Sequence, residues 1–209
     1  MNAASTIDVV LIDSGGANIG SVRYALERLG VHAGLSADPA RIDAATHVIL
    51  PGVGAAAPAM RRLHELGLVE TIRALRKPLL GICLGMQLLY ESSDEGDVEC
   101  LGLLPGRVRK LAVSPGVRVP HMGWNTLRLR RDPMRRAPAL LDGIADNAYA
   151  YFVHSYAAPM GQATLAGCMH GQEFSAIVQH DHIRGAQFHP ERSAAIGQRL
   201  LANFIGLRA

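Results

Sequence analysis

Lysine is scarce in this chain of 209 residues, which carries a net charge of +3. Only Lys77 and Lys110 are lysines, so arginine supplies nearly all of the positive charge. The arginines are scattered along the chain except over residues 128–136, where they are concentrated. At the start of this stretch leucine and arginine alternate, which is typical of a half-exposed strand. No aromatic residues interleave with these arginines, so the pattern favours a solvated strand face over a nucleic-acid site.

Cysteine is also rare. Cys83, Cys100 and Cys168 have unrelated spacings and include no Cys-x-x-Cys pair, which argues against a disulfide framework and fits a reducing compartment. The sequence shows neither an apolar run long enough to cross a bilayer nor an N-terminal segment of the secretory type. We therefore expect a soluble, cytoplasmic protein.

Two common kinds of ligand site are missing from the sequence. No glycine-rich loop precedes a Lys-Ser or Lys-Thr pair, and Gly15-Gly16 alone is a weak signal for phosphate binding. His180 and His182 can lie on one side of a strand, but no third ligand stands nearby in the sequence. We therefore expect a function that needs neither a metal nor another cofactor.

Apolar patterns predict an α/β fold. Strands are predicted over 7–13, 31–36, 46–50, 78–82, 108–112, 124–129, 148–155, 164–170, 175–179 and 184–188. Helices are predicted over 19–30, 58–76, 84–91 and 193–207. This order predicts a single domain over residues 1–209, with a central, mixed, mostly parallel sheet flanked by helices.

The segment Lys77 to Gln87 carries the strongest chemical signal. Its sequence, KPLLGICLGMQ, is a short apolar run that ends at Cys83 between Gly81 and Gly85. A nucleophile on a tight strand-to-helix turn needs small neighbours, because larger side chains would clash as the backbone reverses. The predicted helix would favour the thiolate at its N-terminus. Cys83 is therefore a candidate nucleophile, although a lone intracellular cysteine is more often a core residue.

A candidate base stands near the other end of the chain. Residues 185–191, GAQFHPE, are predicted as a strand that ends at His189 and is stopped by Pro190. Glu191 follows, and a carboxylate can orient an imidazole and stabilise its cation. By itself a His-Pro-Glu sequence is more often a solvated turn. Together with the cysteine it predicts a triad of Cys83, His189 and Glu191.

Residues 46–54 read THVILPGVG, an apolar strand that runs into a Pro-Gly-Val-Gly turn. Such a turn exposes backbone amides. If Gly52 and Val53 lie beside the nucleophile, the amide near Val53 and that of Leu84 would form an oxyanion hole. An ordinary strand-to-helix connection is the alternative interpretation.

The segments GICLGMQ, PGVG and QFHPERS resemble the signatures of the class I, or triad, glutamine amidotransferase family. The resemblance runs from Asp13 to Ser193. The segments PHMGWN at 120–125 and YFVHSY at 151–156 resemble one branch of that family, the glutaminase subunits of imidazole glycerol phosphate synthases. The resemblance implies that the Cys83 thiolate attacks the carboxamide of glutamine and that His189 protonates the departing ammonia.

The resemblance also implies a partner subunit. Ammonia released into water at neutral pH becomes mostly ammonium, which has no lone pair for attack, so a synthase must keep it dry. A (β/α)-barrel cyclase would dock over Cys83 as a heterodimer and receive the ammonia through its interior. The cyclase would hold the nucleotide and make imidazole glycerol phosphate and an aminoimidazole carboxamide ribotide in histidine biosynthesis. The glutaminase subunit would need no cofactor.

Further roles follow from the same resemblance. The implied glutamine contacts are Gln87, Glu95, Ser155 and Tyr156. The implied interface and gating residues are Asn18, His121, Trp124, Tyr151 and His154. These residues would transmit the partner's ligand state, and we expect the oxyanion turn to reach its working geometry only when the partner binds nucleotide. The loop 13–18 departs from the family pattern at Ser14 and Ala17, which concerns the interface rather than the chemistry.

Several of these assignments have ordinary alternatives. Gln87 alone is more often a surface helix residue and Glu95 a solvated loop acid, while Trp124 and His154 fit common strand positions equally well. Two other functions are also compatible with parts of the sequence: an amidotransferase that feeds a different synthase, and a non-catalytic regulatory protein. The 120–125 and 151–156 segments disfavour the first, and the intact triad disfavours the second.

Overall fold

A computed structural model describes residues 7–15, 18–130 and 138–207. Its strands are β1 Val9–Ile12, β2 Ala33–Ser36, β3 His47–Gly52, β4 Leu79–Cys83, β5 Tyr90–Ser93, β6 Val98–Glu99, β7 Leu104–Lys110, β8 His121–Thr126, β9 Arg128–Leu129, β10 Tyr149–His154, β11 Tyr156–Ala157, β12 Thr164–His170, β13 Gln172–His180 and β14 Ile183–Ala186. Its helices are α1 Ile19–Glu27, α2 Pro39–Ala44, α3 Ala56–Glu65, α4 Leu68–Ala74, α5 Leu84–Leu88 and α6 Ala194–Ile205, with 3-10 helices at Ala139–Leu141 and Pro190–Arg192.

The largest sheet has the strand order β2-β1-β3-β4-β14-β13-β12-β9. Neighbouring strands are parallel from β2 to β14, and β13, β12 and β9 are added antiparallel. Strands β1 and β4 are buried along their whole length, as parallel strands covered on both faces must be. The predicted α/β fold with a central mixed sheet is therefore confirmed.

Alternate residues of β1 pack into two hydrophobic cores. Val9 and Leu11 pack in one core with side chains of α1 and α6, whereas Val10 and Ile12 pack in the other with α2, α3 and α4. This alternation follows from the period of two in a strand, and burying each such side chain is worth about 1.5–3 kcal/mol. The two helical layers thus fix β3 and β4, whose carboxyl ends reach the site described below.

Two predicted helices differ from the structure. The helix predicted over 58–76 is two helices, because the chain turns at Gly67 in the left-handed region, with φ 67°. The helix predicted over 84–91 ends at Leu88, and Tyr90 already begins β5. The apolar spacing in both segments continues across the break, so periodicity alone does not locate it.

The sequence patterns also miss α2 and do not separate two smaller sheets. Asp38 caps α2 by accepting a hydrogen bond from the Ala40 amide, and proline opens the helix. The smaller sheets are β10-β8 and β11-β7-β5-β6. The strand predicted over 124–129 is interrupted at the buried Leu127, so that β8 and β9 belong to different sheets.

The arginine-rich stretch behaves as predicted where it is described. Arg128 and Arg130 are exposed on either side of Leu129, which is half-buried. Residues 131–136 of this stretch, and Ala17 of the N-terminal loop, lie outside the described residues. Within the described ranges, no helix is both long and apolar enough to span a membrane.

Candidate active site

Cys83 ends β4 in a backbone conformation that is rare for any residue except glycine, with φ 54° and ψ −111°. The helix that follows, α5, lies so close to the sheet that glycine is required at two positions. A Cβ atom on Gly81 would lie 2.7 Å from backbone atoms of Gly85 and Met86, and one on Gly85 would collide with the carbonyl oxygen of Leu50. The backbone therefore has the form of a nucleophile elbow.

His189 and Glu191 lie beside the cysteine. Strand β14 ends at Ala186 rather than at His189 as predicted, and the chain then turns into the 3-10 helix that contains Glu191. The Nδ1 of His189 donates a hydrogen bond to Oε1 of Glu191 at 2.9 Å. The other ring nitrogen, Nε2, is therefore left for the Cys83 side chain, which lines the same cavity as His189.

His189 and Glu191 each stabilise the charged form of the other. Burial lowers the pKa of His189, but hydrogen bonds and charge interactions with Cys83 and Glu191 outweigh it and raise the pKa to about 10. Burial raises the pKa of Glu191, but its interactions with His189 and Asn18 lower it on balance. An ionised carboxylate therefore faces an imidazolium, which is the partner that a cysteine thiolate needs.

Asn18 lies at the triad. Its Nδ2 donates a hydrogen bond to Glu191 Oε1 at 2.7 Å and lies 3.4 Å from Nδ1 of His189. The resemblance implies a place for Asn18 at the partner interface, and the structure places its side chain in contact with the Glu191 carboxylate. Asn18 itself has φ 78° immediately before α1, a conformation that asparagine tolerates better than most residues.

A cavity of about 290 Å³ opens in front of Cys83, close to the lower end of the about 300–1,000 Å³ range of small-molecule sites. It is lined by Val53, Gly54, Cys83, Leu84, Gln87, Glu95, Pro120, Val153, His154, Ser155, Tyr156 and His189. All four residues predicted to contact glutamine line it. The structure thus places the candidate nucleophile, the base and the substrate contacts around one space.

The Pro-Gly-Val-Gly turn packs against the start of α5. Gly52 is the register partner of Cys83, and a Cβ on Gly52 would lie 2.7 Å from the Gly85 amide nitrogen. Val53 and Leu84 both line the cavity. That their amides bind an oxyanion stays a prediction.

Gln87 and Glu95 each have a partner within the protein. The Nε2 of Gln87 donates to the carbonyl oxygen of Tyr156 at 2.7 Å and to Oε1 of Gln187 at 3.0 Å. The Oε2 of Glu95 accepts from the Ala56 amide at the start of α3, while burial raises the pKa of Glu95. Both side chains are therefore held in place at the cavity before a ligand binds.

Sequence reasoning misses Gln187, which is fully buried two residues before His189. Its Nε2 lies 3.8 Å from the Cys83 sulfur, within hydrogen-bond distance for sulfur. Ala186 pairs with Ile82 in the parallel strands β14 and β4, so the next residues in register are Gln187 and Cys83. The available signal was this register, which becomes visible only when the two strands are known to be neighbours.

His121 and His154 contact each other across β8 and β10, with 3.1 Å between Nδ1 of His121 and Nε2 of His154. The Nδ1 of His154 must donate to the Tyr156 carbonyl at 2.8 Å, because a carbonyl oxygen only accepts. His121 therefore donates to His154. Burial lowers the pKa of His154 to about 3 and that of His121 to about 4, so both rings are neutral at pH 7.

Comparison with known proteins identifies the family. The family described as glutamine amidotransferase class-I matches residues 10–207. The chain belongs to this family. The amidotransferase is 62% identical over 198 residues to imidazole glycerol phosphate synthase subunit HisH of Xanthomonas euvesicatoria pv. vesicatoria (strain 85-10), covering 95% of this chain and 96% of that protein.

A second relative and a solved structure agree with this family assignment. The subunit of the same name from Xylella fastidiosa (strain Temecula1 / ATCC 700964) is 57% identical, over 97% of this chain and 98% of that protein. A crystal structure of a glutamine amidotransferase has a TM-score of 0.71 at 20% identity, over 95% of this chain and 99% of that one, which shows the fold alone. The resemblance found in the sequence, including its branch, is confirmed.

One face of the β8–β10 ribbon of the amidotransferase is exposed and apolar. Trp124 pairs with Tyr151 across the ribbon, and their rings meet edge to face at 5.8 Å. Met122, Trp124 and Tyr149 are each more than half exposed. Val153 pairs with Met122 and lines the cavity, so this face continues to the mouth of the site. Of the residues predicted to border the interface, Trp124 is thus exposed, whereas His121 and His154 are buried.

In the parts of the amidotransferase that the structure describes, no group of three or more histidine, cysteine, aspartate or glutamate side chains is placed to hold a metal ion. His180 is paired with Asp181 at 3.6 Å on an exposed turn. The expectation that the reaction needs no metal stays a prediction.

Proposed function

We propose that this amidotransferase is the glutaminase subunit of an imidazole glycerol phosphate synthase and hydrolyses glutamine to glutamate and ammonia. The observation that carries the proposal is that Cys83 and His189 line one cavity and that Glu191 accepts a hydrogen bond from His189 on its other ring nitrogen. The relatives at 57% and 62% identity over nearly the full chain are named as subunits of that synthase. We further propose that residues 1–209 form one amidotransferase domain.

The proposed reaction begins with the Cys83 thiolate attacking the carboxamide carbon of glutamine. The carbonyl electron pair moves to oxygen, where the amides of Val53 and Leu84 stabilise it. Collapse of this species breaks the carbon–nitrogen bond, and His189 protonates the leaving nitrogen to give ammonia. Water then attacks the glutamyl thioester as His189 takes its proton, and the sulfur leaves as thiolate.

The glutamine contacts are proposed from the cavity lining. Gln87, Glu95, Ser155 and Tyr156 would hold the α-amino acid head of the substrate. Glu95 supplies a carboxyl group for the ammonium of glutamine, and binding that cation would counter the upward shift that burial imposes on the pKa of Glu95. The triad then lies at the carboxamide end.

We propose that the partner is a (β/α)-barrel cyclase that docks on the exposed face of the β8–β10 ribbon. This face is apolar, contains Trp124 and Tyr149, and adjoins the cavity mouth through Val153. Aromatic side chains of this kind commonly anchor interfaces. The three cysteines are free, which supports a cytoplasmic location for the pair.

Glutamate release from glutamine tests this proposal. The purified chain is assayed alone, with the barrel cyclase from the same source, and with the cyclase plus its nucleotide substrate. We expect strong stimulation by cyclase and nucleotide together, as the proposed gating at Gly52 and Val53 requires. Cys83→Ala should abolish activity, whereas Cys100→Ala, which changes another buried cysteine, should retain it.

The other outcomes distinguish the remaining functions. High activity alone with no response to the cyclase would retain the triad chemistry and indicate a different acceptor synthase. Equal rates with and without nucleotide would refute the gating. A Cys83→Ala protein as active as the parent would refute the glutaminase itself.

A further inference from the structure

The orientation of the Gln187 side chain is fixed by a carbonyl group. The Tyr156 carbonyl oxygen accepts from Gln87 at 2.7 Å, so the group facing it must be the Gln87 NH₂. The same NH₂ lies 3.0 Å from the Gln187 side-chain amide and requires an oxygen there. Gln187 therefore presents its oxygen to Gln87 and its own NH₂ to Cys83, with 3.8 Å between Nε2 and Sγ.

Further hydrogen bonds hold this carbonyl in place. The Tyr156 oxygen also accepts from His154 at 2.8 Å, and His154 accepts from His121 at 3.1 Å. The Nε2 of His121 in turn accepts from Asn125 at 3.2 Å. A directional series of donors thus runs from β8 to Tyr156, where it meets the two glutamines. None of the amides can flip without placing two donors or two acceptors against each other.

Two hydrogen bonds compete at the Cys83 sulfur. The Val153 carbonyl lies 3.9 Å from Sγ and can only accept, so it favours the protonated thiol. The Gln187 NH₂ can only donate, so it favours the thiolate. Gln187 is fully buried, and burial strengthens a hydrogen bond to an ion.

We propose that Gln187 is a further catalytic residue, whose Nε2–H donates to the Cys83 sulfur and stabilises the thiolate in two steps. Before attack, it holds the nucleophile charged and fixes its direction. During thioester hydrolysis, the carbon–sulfur bond breaks, its electron pair goes to sulfur, and the same donor stabilises the leaving thiolate while His189 holds the proton taken from water. The second step rests on the proposed glutaminase function; the first does not.

Four other ionisable side chains lie around Cys83. His189, Glu95 and His154 line the same cavity as Cys83, and Glu191 is hydrogen-bonded to His189. A substitution at Gln187 leaves these four side chains unchanged. The effect of removing the donor can therefore be measured against their constant background.

The test measures thiol reactivity, which needs no turnover. Cys83 is alkylated with iodoacetamide between pH 5 and pH 9, and the modified peptide is identified by mass so that Cys100 and Cys168 do not contribute. For Gln187→Leu we expect alkylation at neutral pH to be about tenfold slower and the rate–pH curve to move up by about one unit, since a hydrogen bond to an ion is lost. Gln187→Glu places a carboxylate at the sulfur and should move the curve further.

The matched control is Gln179→Leu, which changes a half-buried glutamine of β13 that pairs with Arg184 in the sheet register. Its curve should coincide with that of the parent. Because Gln187→Leu removes a fully buried polar group, thermal unfolding is measured for each variant, and the isosteric Gln187→Glu provides the second test. Folded Gln187→Leu and Gln187→Glu proteins with unshifted curves would overturn the proposal.

Turnover then separates this proposal from the proposed function. In Gln187→Leu, with cyclase and nucleotide present, we expect kcat to fall with KM nearly unchanged and the glutamyl thioester to accumulate after acid quenching. If Gln187→Leu shifts the alkylation curve but the parent protein does not hydrolyse glutamine, the role of Gln187 at the thiolate is upheld and the glutaminase function is refuted. If Gln187→Leu leaves the alkylation curve unshifted while the parent protein hydrolyses glutamine, the role of Gln187 is refuted and the glutaminase function is upheld.

Discussion

Single residues at the triad divide into the proposed nucleophile and the groups that would orient it. Cys83 carries strain in its own backbone, with φ 54°, whereas His189 and Glu191 are oriented from a different segment of the chain. Asn18 adds a third segment, because it donates to the carboxylate from the start of α1. The geometry proposed for catalysis therefore depends on contacts between distant parts of the sequence.

The contact between Asn18 and Glu191 gives a prediction for one side chain. Asn18→Gly suits the φ of 78° at this position and removes only the donor. A hydrogen bond to an ionised group is worth about 1.5–3 kcal/mol, so we expect kcat to fall about tenfold or more with little change in KM. Steady-state glutamate release measures it. An unchanged kcat would show that His189 alone suffices to orient Glu191.

Residues that the sequence predicts and those it misses differ in the range of their contacts. Cys83 and the His-Pro-Glu segment stand in local patterns whose chemistry can be read directly. Gln187 lies next to the same histidine motif, yet its role depends on β14 lying beside β4 in one register. The contact of Asn18 likewise depends on α1 packing near the 3-10 helix that contains Glu191.

Among the secondary-structure elements, α5 can pack closely against the sheet because residues 81 and 85 are glycines. A Cβ on Gly85 would collide with the Leu50 carbonyl of β3, so we expect Gly85→Ala to lower the free energy of unfolding by about 1–3 kcal/mol or more. The control is Gly20→Ala in α1, where nothing lies near the added carbon and the change should stabilise by about 0.5–1 kcal/mol. Urea unfolding of both variants measures the difference. Equal stabilities would show that α5 can shift away from β3 at no cost.

The elements that the sequence predicts are those with an apolar period of their own. The parallel strands β1, β3 and β4 are continuous buried runs, so their positions follow from composition. The division into three sheets does not follow, because β8 and β9 are separated only by the buried Leu127. Strand pairing is decided by packing between segments, and local propensity does not contain it.

For the whole molecule, buried histidines predict how stability depends on pH. The pKa of His121 is lowered to about 4 and that of His154 to about 3 by burial, against an ordinary value of about 6.5. Below pH 6.5 these two histidines therefore become protonated in the unfolded chain while they remain neutral in the folded protein. Each histidine should cost about 1.4 kcal/mol of stability per pH unit as the pH falls from 6.5 towards 4.

Urea unfolding at a series of pH values measures this slope. His121→Leu removes one of the described histidines whose pKa is lowered by burial, a set that also includes His154, His47 and His182. Its slope between pH 6 and pH 5 should therefore be smaller than the parental slope by about 1 kcal/mol per pH unit. His32→Leu, which changes an exposed histidine, should keep the parental slope. Identical slopes in all three proteins would show that the buried ring of His121 already takes up a proton in this range.

The exposed ribbon gives a prediction about assembly. Trp124 is half exposed beside the cavity mouth, so Trp124→Ala should weaken binding of the proposed cyclase partner by about 2 kcal/mol, or about thirtyfold in Kd. Leu35→Ala changes an exposed apolar side chain on β2, at the opposite edge of the main sheet from β9, and should leave binding unchanged. Titration calorimetry measures both. Equal weakening by the two variants would place the partner elsewhere.

Trp124 is the single tryptophan of the chain, and 52% of its surface is exposed at the face proposed for docking. Its indole therefore acts as a built-in optical reporter of that face, free of background from any other tryptophan in this subunit. Excluding water from the indole should move its emission to shorter wavelength. With a cyclase that lacks tryptophan, assembly can be followed in real time and without a label.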